Sequence, residues 1–407
     1  MRRLLSAALC VACCLCTAAA TAQPTSLALP DVIARARTDA PDVVVASLML
    51  EEARGRLVGA SRRLQANPDL DTALGRRDGE DGVQTDFQIG IEQMFQPSAR
   101  RNARIEGAEA ALAQARADIE ETRRQTITAA VEAFYRAVYA GDRLRLLEAN
   151  VTLAETVLAV AERRFAAGDV AALDVNLART ALWRTRADVA AADADATIAR
   201  GQLQRILGLD GPVIVDGSLS GALADHAPLE SRLATIDTRP DLQAFDASVR
   251  EADAEARLGE SLTRPEYGVG ARYSREESDH IVMGTFTISL PLANKGQDVT
   301  ITGRGRAARL RASLEAVRRR ARIEVAAAHA AYERRLAALG MLERDVVSTL
   351  DDTLGLATRS FDVGQIGVAD VLVMRREVLD ARAQYLDTVL STVLARVALD
   401  SASGVLR

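Results

Sequence analysis

The sequence predicts a mainly α-helical protein with a small β part, duplicated as two copies of a helix, a strand pair and a long helical hairpin. Aromatic residues make up only 3% of the 407 residues and prolines number 10, while Ala, Leu, Val and Arg are abundant, a mixture that favours long helices over extensive sheet. Motifs recur in the same order at about half the chain length, which indicates internal duplication. Alternating hydrophobicity is confined to a few short segments, which accounts for the small β part.

The first 22 residues have the pattern of a secretory signal peptide. Arg2 and Arg3 precede an apolar run from Leu4 to Cys16, and small residues lead to a cleavage site after Ala22. A lipidated cysteine is the alternative, although neither Cys13 nor Cys16 has the neighbours of a bacterial lipobox. Cleavage would leave a mature chain without any thiol, because all four cysteines lie in this segment: Cys10, Cys13, Cys14 and Cys16.

The mature chain divides into a first repeat at 23–215 and a second at 216–407. Phe87-Gln88-Ile89 returns as Phe286-Thr287-Ile288, an offset of 199 residues. Arg164 to Gly168, followed by Asp174-Val175, returns as Ser360 to Gly364, followed by Asp370-Val371, at an offset of 196. Each match is weak alone, and the shared order carries the prediction.

Each repeat contains two predicted strands joined by a charged loop. In the first repeat they lie at about 69–75 and 83–95, and in the second at about 266–274 and 281–292. The clearest alternation is that of Val83, Thr85, Phe87, Ile89 and Ile91 with polar residues between them. Strands of about ten residues have the length that crosses an outer membrane.

Each repeat continues into a helical hairpin whose helices are longer than those of ordinary globular domains. The first spans about 98–207 with its tip near residue 168, and the second about 302–402 with its tip near residue 364. The proline-free stretch from Ser98 to Ala166 corresponds to a helix of about 100 Å at 1.5 Å per residue. Recurring alanines allow such helices to pack closely, as in coiled coils.

Four strands cannot close a barrel alone, because the smallest membrane-spanning barrels need about eight. The strands therefore form either a small soluble β layer or a barrel shared by several chains. The corresponding functional alternatives are a membrane channel and a secreted coiled-coil structural or adaptor protein without a barrel.

The order of elements resembles the outer-membrane factors of tripartite efflux pumps, the TolC family, over essentially the whole mature chain. The residues that carry the resemblance are the two tip motifs, Arg164 to Asp174 and Ser360 to Asp370. Asn67-Pro68 before the first strand and Asn294-Lys295-Gly296-Gln297 after the fourth are most similar to the CzcC-type heavy-metal branch.

The resemblance implies a homotrimer in the Gram-negative outer membrane, with a twelve-stranded β-barrel in lipid and an α-helical barrel in the periplasm. It implies a passive channel, exporting heavy-metal cations or, alternatively, drugs or secreted substrates. Its partners would be a periplasmic adaptor protein and an inner-membrane proton-driven transporter. Asp370 occupies the position of the family's aperture carboxylate, and Asp174 is its counterpart in the first repeat. The adaptor-docking candidates at the tips are Phe165, Gly168, Asp169, Phe361, Gly364 and Gln365.

The sequence offers no constellation for catalysis, a cofactor or a resident metal. The three histidines, His226, His280 and His329, are far apart and lack metal-ligand spacing. Gly303-Arg304-Gly305 lacks the lysine and spacing of a phosphate-binding loop. The net charge of −5 gives no basic footprint for nucleic acid. We therefore expect neither an enzyme nor a nucleic-acid-binding protein.

Overall fold

The structure, a computed structural model, describes residues 25–79, 82–223, 227–276, 279–343 and 348–406. The signal peptide predicted at 1–22 and His226 lie outside these residues. The helices are α1 Leu29–Thr38, α2 Pro41–Ser61, α3 Ser98–Ala166, α4 Ala172–Leu207, α5 Leu229–Ala234, α6 Pro240–Ser261, α7 Gln297–Leu342, α8 Ser348–Asp362 and α9 Val368–Ala402. The strands are β1 Thr25–Leu27, β2 Asp69–Gly79, β3 Gly82–Phe95, β4 Val213–Val215, β5 Glu266–Glu276 and β6 Asp279–Ser289. The prediction of a mainly α protein with a small β part is confirmed.

The sheet joins the strand pairs of the two repeats in one layer. Its order is β2-β3-β5-β6, and every neighbouring pair is antiparallel. The register pairs Asp69 with Glu92 and Phe95 with Tyr267. Strands β2 and β6 are the two edges, so each leaves one side of its backbone unpaired within the chain.

Several bounds differ from the expected ones for identifiable reasons. β2 extends to residue 79 and β5 to 276, because charged residues expected in loops pair across the sheet. β6 ends at Ser289 rather than near 292, since Pro291 has no N–H to donate to a ladder. α7 begins at Gln297, five residues earlier than expected, and the helix expected to run on through 344–347 crosses residues that lie outside the described ones.

The described residues form two compact units, and each unit draws on both repeats. The first holds residues 25–41, 125–223 and 328–401, and the second holds 42–124, 227–327 and 402–406. The second contains the four-stranded sheet, together with a helical core in which Val249 and Ala252 of α6 pack on Ala307 and Leu310 of α7. The first contains both hairpin tips. None of the described helices is both long and apolar enough to cross a bilayer.

Candidate functional site

The tip of the first hairpin is a tight, fully hydrogen-bonded helix stop. The Asp169 N–H donates to the Arg164 carbonyl at 2.9 Å, and the Gly168 N–H donates to the Phe165 carbonyl at 3.0 Å. This is the Schellman pattern, which satisfies carbonyls that a helix end would otherwise leave free. It requires a left-handed residue, and Gly168 supplies one with φ of +85°.

The second tip repeats this geometry residue for residue. The Gln365 N–H donates to the Ser360 carbonyl at 2.8 Å, and the Gly364 N–H donates to the Phe361 carbonyl at 3.0 Å. Gly364 has φ of +78°. Both motif glycines are therefore needed for the same purpose: each supplies the left-handed residue of its turn.

Asp174 and Asp370 begin the returning helices and hold their first turns. The carboxylate of Asp174 accepts the Ala171 N–H at 3.2 Å, and that of Asp370 accepts the Gly367 N–H at 3.1 Å. A carboxylate in the first turn also interacts favourably with the positive end of the helix dipole. Both aspartates thus have a structural role in each chain, whatever they do on the axis of an assembly. The Asp370 side chain is exposed and that of Asp174 is half-buried.

The two tips share one hydrophobic core. Phe361 lies at its centre with 1% of its surface exposed. Helices α3, α4, α8 and α9 all contribute to the core, with buried members Val157, Val160, Ala161, Val175, Ala178, Phe361, Val368 and Val371. The first tip is therefore packed against the second within one chain.

Arg164 of the first tip closes this core from outside. Its guanidinium lies over the Phe361 ring, 5.6 Å from the centroid, and its Nη1 donates to the Phe361 carbonyl at 3.5 Å. A cation over an aromatic face is attracted by the ring quadrupole. Arg164 belongs to the first tip motif, but the motif alone does not predict this contact.

The predicted docking residues differ in how they are presented. Phe165 is 49% exposed, and Gly168, Asp169, Gly364 and Gln365 are exposed as well. Phe361, grouped with them in the sequence analysis, is instead buried, because it fills the shared core. Its side chain supports the turn from inside and offers no surface to a partner in this structure.

A buried arginine that the sequence analysis did not single out links three helices of the tip-bearing unit. Arg375 of α9 is 6% exposed, and its Nε donates to Asn150 Oδ1 of α3 at 2.6 Å. Its Nη2 donates to Thr185 Oγ1 of α4 at 2.7 Å. Loss of hydration lowers the pKa of Arg375 from its ordinary value, and the group stays protonated at neutral pH. No sequence signal distinguishes it from the many surface arginines.

The four-stranded sheet has one apolar and one polar face. Register and alternation put most of the large hydrophobic side chains of the four strands on the apolar face, and most of these are exposed, including Leu70, Leu74, Phe87, Ile91, Val269 and Phe286. The polar face carries charged and amide side chains, including Asp71, Arg77, Asp86, Gln88, Arg272 and Glu276. An exposed apolar surface of this extent marks contact with lipid or with another protein.

Ion pairs organise the polar face across strands. Arg77 of β2 pairs with Asp86 of β3 at 2.9 Å and with Glu276 of β5 at 3.3 Å. Arg272 of β5 donates to Asp71 of β2 at 3.3 Å. Arg77–Glu276 and Arg272–Asp71 join strands of the two repeats, and each such exposed pair contributes about 1 kcal/mol or less.

The described residues contain no cluster of three or more His, Cys, Asp or Glu side chains placed to hold a metal ion. Of the histidines that the structure describes, His280 contacts Tyr273 on the sheet and His329 lies in α7 beside Glu333.

Duplicated hairpins joined to an open-edged, two-faced sheet define the class of the protein: a subunit of an outer-membrane efflux channel. The chain belongs to the family described as outer membrane efflux protein, whose sequence pattern matches residues 32–209 and 234–405. The resemblance to outer-membrane factors is thereby confirmed, and of the two alternatives left by the sequence, the channel is the correct one.

Two metal-resistance proteins are similar to most of the chain. It is 24% identical to the cobalt-zinc-cadmium resistance protein CzcC of Cupriavidus metallidurans over 362 residues, 87% of this chain and 84% of the relative. It is 28% identical to the nickel-cobalt-cadmium resistance protein NccC of Alcaligenes xylosoxydans over 310 residues, 74% of this chain and 68% of the relative.

Solved channel structures share the fold. CusC, described as forming a transmembrane channel, superposes with a TM-score of 0.79 at 19% identity, covering 92% of this chain and 91% of CusC. The MtrE outer-membrane channel of Neisseria gonorrhoeae, solved in an open state, superposes with a TM-score of 0.72 at 18% identity, covering 92% of this chain and 88% of MtrE.

The chain is therefore the outer-membrane channel component of a tripartite efflux pump, located in the Gram-negative outer membrane and extending into the periplasm. It is a transport channel and not an enzyme. Channels of this family work as trimers together with an adaptor and an inner-membrane transporter.

Proposed function

We propose that three copies of this chain close one twelve-stranded barrel, with the apolar face of each sheet in lipid and the polar face around the passage. The two-faced sheet with open edges carries this proposal. Closure between β2 of one copy and β6 of the next would pair the backbone groups that each edge leaves free, which a bilayer demands. The helical hairpins would continue the passage through the periplasm.

Extraction and conductance test the assembly. We expect the protein in the outer-membrane fraction, soluble only in detergent, trimeric by light scattering and conductive in planar bilayers. Monomeric protein that is soluble in plain buffer and without conductance would contradict the proposal.

Two neighbouring residues test the orientation of the sheet. Phe286 lies on the apolar face and Thr285 on the polar face. Phe286→Lys would place a charge in lipid, which costs about 2–4 kcal/mol at the midplane and less toward the interfaces, so we expect lower trimer yield after refolding into vesicles. Thr285→Lys would reach water and should assemble normally. Equal yields of the two variants would exclude the assignment of faces.

The exposed side chains at the tips form the proposed adaptor contact. Phe165, Asp169 and Gln365 are exposed on the hydrogen-bonded turns and are free to meet the hairpin of a periplasmic adaptor. We expect Phe165→Ala to weaken cross-linking to the adaptor while leaving channel conductance intact. Unchanged cross-linking across single alanine variants of these three residues would remove the tips as the docking site.

Asp370, with Asp174 as the second candidate, is the proposed aperture gate. Three copies of an exposed carboxylate converging on an axis would favour cations. Because Asp370 also caps α9, a cap-only control is needed, and Asp31 provides one: its carboxylate accepts the Ala28 N–H at 3.1 Å in the same arrangement at the start of α1. We expect Asp370→Asn to reduce cation preference or multivalent-cation block and Asp31→Asn to change neither. Equal behaviour of the two variants would leave Asp370 with its capping role alone.

The proposed cargo is heavy-metal cations, and a proton-coupled inner-membrane transporter would supply the energy for their export. The support is the similarity to CzcC and NccC, whose names record resistance to cobalt, zinc, cadmium and nickel. Drugs or other organic molecules are the alternative cargo. A strain lacking this chain should lose growth on cobalt, zinc, cadmium or nickel salts and regain it on complementation. Sensitivity to organic compounds alone would favour the alternative.

A further inference from the structure

Two arginines on the apolar face differ from the arginines on the polar face. Arg76 and Arg275 follow the large hydrophobic residues at the loop end of the sheet, and both are exposed. Within the described residues neither lies within ion-pair distance of a carboxylate, whereas Arg77 and Arg272, on the opposite face, are both paired. The arginines of the polar face are thus neutralised by carboxylates, whereas those of the apolar face are available to bind an anion.

The cross-strand register sets the depth of these two cations. At the helix end of the sheet, Phe95 lies opposite Tyr267, and at the loop end Thr85 lies opposite Arg76. Ten residues along β3 separate the two rows, about 33 Å along the strand and about 25 Å along the membrane normal at a tilt near 40°. That is the height of the apolar band of an outer-membrane barrel. Arg76 therefore lies where hydrocarbon ends and headgroups begin.

A histidine and a carboxylate of the apolar face lie near the two arginines at this level. Arg275 lies directly opposite His280, and the His280 ring stacks on Tyr273, with Nδ1 2.6 Å from the Tyr273 hydroxyl. Among the described strand residues of the apolar face the only carboxylate is that of Asp78, two residues beyond Arg76 toward the loop. On this face the described strand residues therefore carry two guanidinium groups and one carboxylate at this level, next to the large hydrophobic side chains.

We propose that Arg76 and Arg275, together with His280, bind the phosphate groups of lipopolysaccharide in the outer leaflet. This rests on the proposed function, since it requires the apolar face to lie in lipid and the loops to face the exterior, opposite the periplasmic helices. A guanidinium matches phosphate with two parallel N–H donors, and a charge at the edge of the hydrocarbon is stabilised only where a counter-charge or water is present. Lipid A presents phosphates at this depth and acyl chains below them.

Binding of defined lipids to the detergent-solubilised trimer tests the proposal by native mass spectrometry. The probes are bisphosphorylated lipid A, the same lipid without phosphates, and phosphatidylglycerol. We expect Arg76→Gln/Arg275→Gln to bind bisphosphorylated lipid A about tenfold or more weakly, because two charge-assisted contacts are lost. The matched control, Arg77→Gln, changes the neighbouring residue on the polar face and should bind as wild type does. Arg76→Lys/Arg275→Lys should retain part of the affinity.

Three results would overturn the proposal: wild-type affinity in the double glutamine variant, equal wild-type affinity for lipid A without phosphates, or equal affinity for phosphatidylglycerol. Conductance in planar bilayers free of lipopolysaccharide separates this inference from the channel itself. A double variant that conducts normally but loses lipid A has lost only the lipid site. A wild-type protein that never inserts would instead refute the proposed function.

Discussion

Truncation of Phe361 should open the hairpin tips, whereas truncation of its repeat counterpart Phe165 should not. Phe361 is 1% exposed in the core that joins the tips, and Phe165, at the matching position of the first motif, is 49% exposed. Removal of a buried phenyl ring costs about 3–5 kcal/mol, because apolar burial is lost and a cavity remains. The Arg164 guanidinium would also lose the ring beneath it, a contact worth about 0.5–2 kcal/mol.

Hydrogen exchange, measured by mass spectrometry on the intact assembly, would report this loss of stability at the hairpin tips. Peptides covering 157–178 and 361–371 should exchange about 10²–10⁴-fold faster in Phe361→Ala, since each 1.36 kcal/mol corresponds to a factor of ten in the opening equilibrium. For Phe165→Ala we expect less than about a tenfold change, as for other changes at half-exposed positions. Peptides from the sheet serve as an internal reference in both variants.

Equal acceleration in the two variants would show that burial does not distinguish the two phenylalanines. Unchanged exchange in Phe361→Ala would show that the tips are held together by something other than the shared core. Either result would refute the reasoning that makes Phe361 a support and Phe165 a contact.

Two further predictions concern the same unit. Gly364→Ala should destabilise the tip by about 1–2 kcal/mol, because φ of +78° is strained for any side chain. Gly355→Ala, in the interior of α8, should instead stabilise its helix by about 1 kcal/mol. Faster hydrogen exchange of the flanking peptides in the first variant and slower exchange in the second would confirm the opposite signs. Arg375→Met should lower the free energy of unfolding by about 1–3 kcal/mol, because the largely buried Asn150 Oδ1 loses its donor. The double variant Asn150→Leu/Arg375→Met should recover much of that loss. A double variant that is less stable than the single one in thermal unfolding would argue against this account.

Helical periodicity and alternation were enough to predict the order of the elements, because both reflect which face of each element is buried. The ends of the strands were harder to predict. Arg76, Arg77 and Asp78 have the composition of a loop, yet they continue β2 as far as Gly79. The Arg77 guanidinium pairs with Asp86 of the adjacent strand β3 and with Glu276 of β5, one strand further, and such non-local pairing is not visible in one segment of sequence.

For the tips, the glycines and aspartates could be found from the sequence because backbone geometry demands them. Gly168 and Gly364 supply the left-handed residue, and the aspartates six positions later cap the next helix. The burial of Phe361 could not be found this way. The two motifs have the same phenylalanine, and only the packing of one tip on the other makes one an interior residue and the other a surface residue.

The unequal phenylalanines imply that duplication has not made the two tips interchangeable. Around a threefold axis, tips with an exposed Phe165 would alternate with tips whose Phe361 is covered by Arg164. A ring of six identical subunits that contacted every tip would meet two kinds of contact surface in alternation. If the partner docks on the tips, its subunits would have to bind in pairs or in two alternating conformations, and the asymmetry of the two turns would then set the rotational position of the partner on the channel.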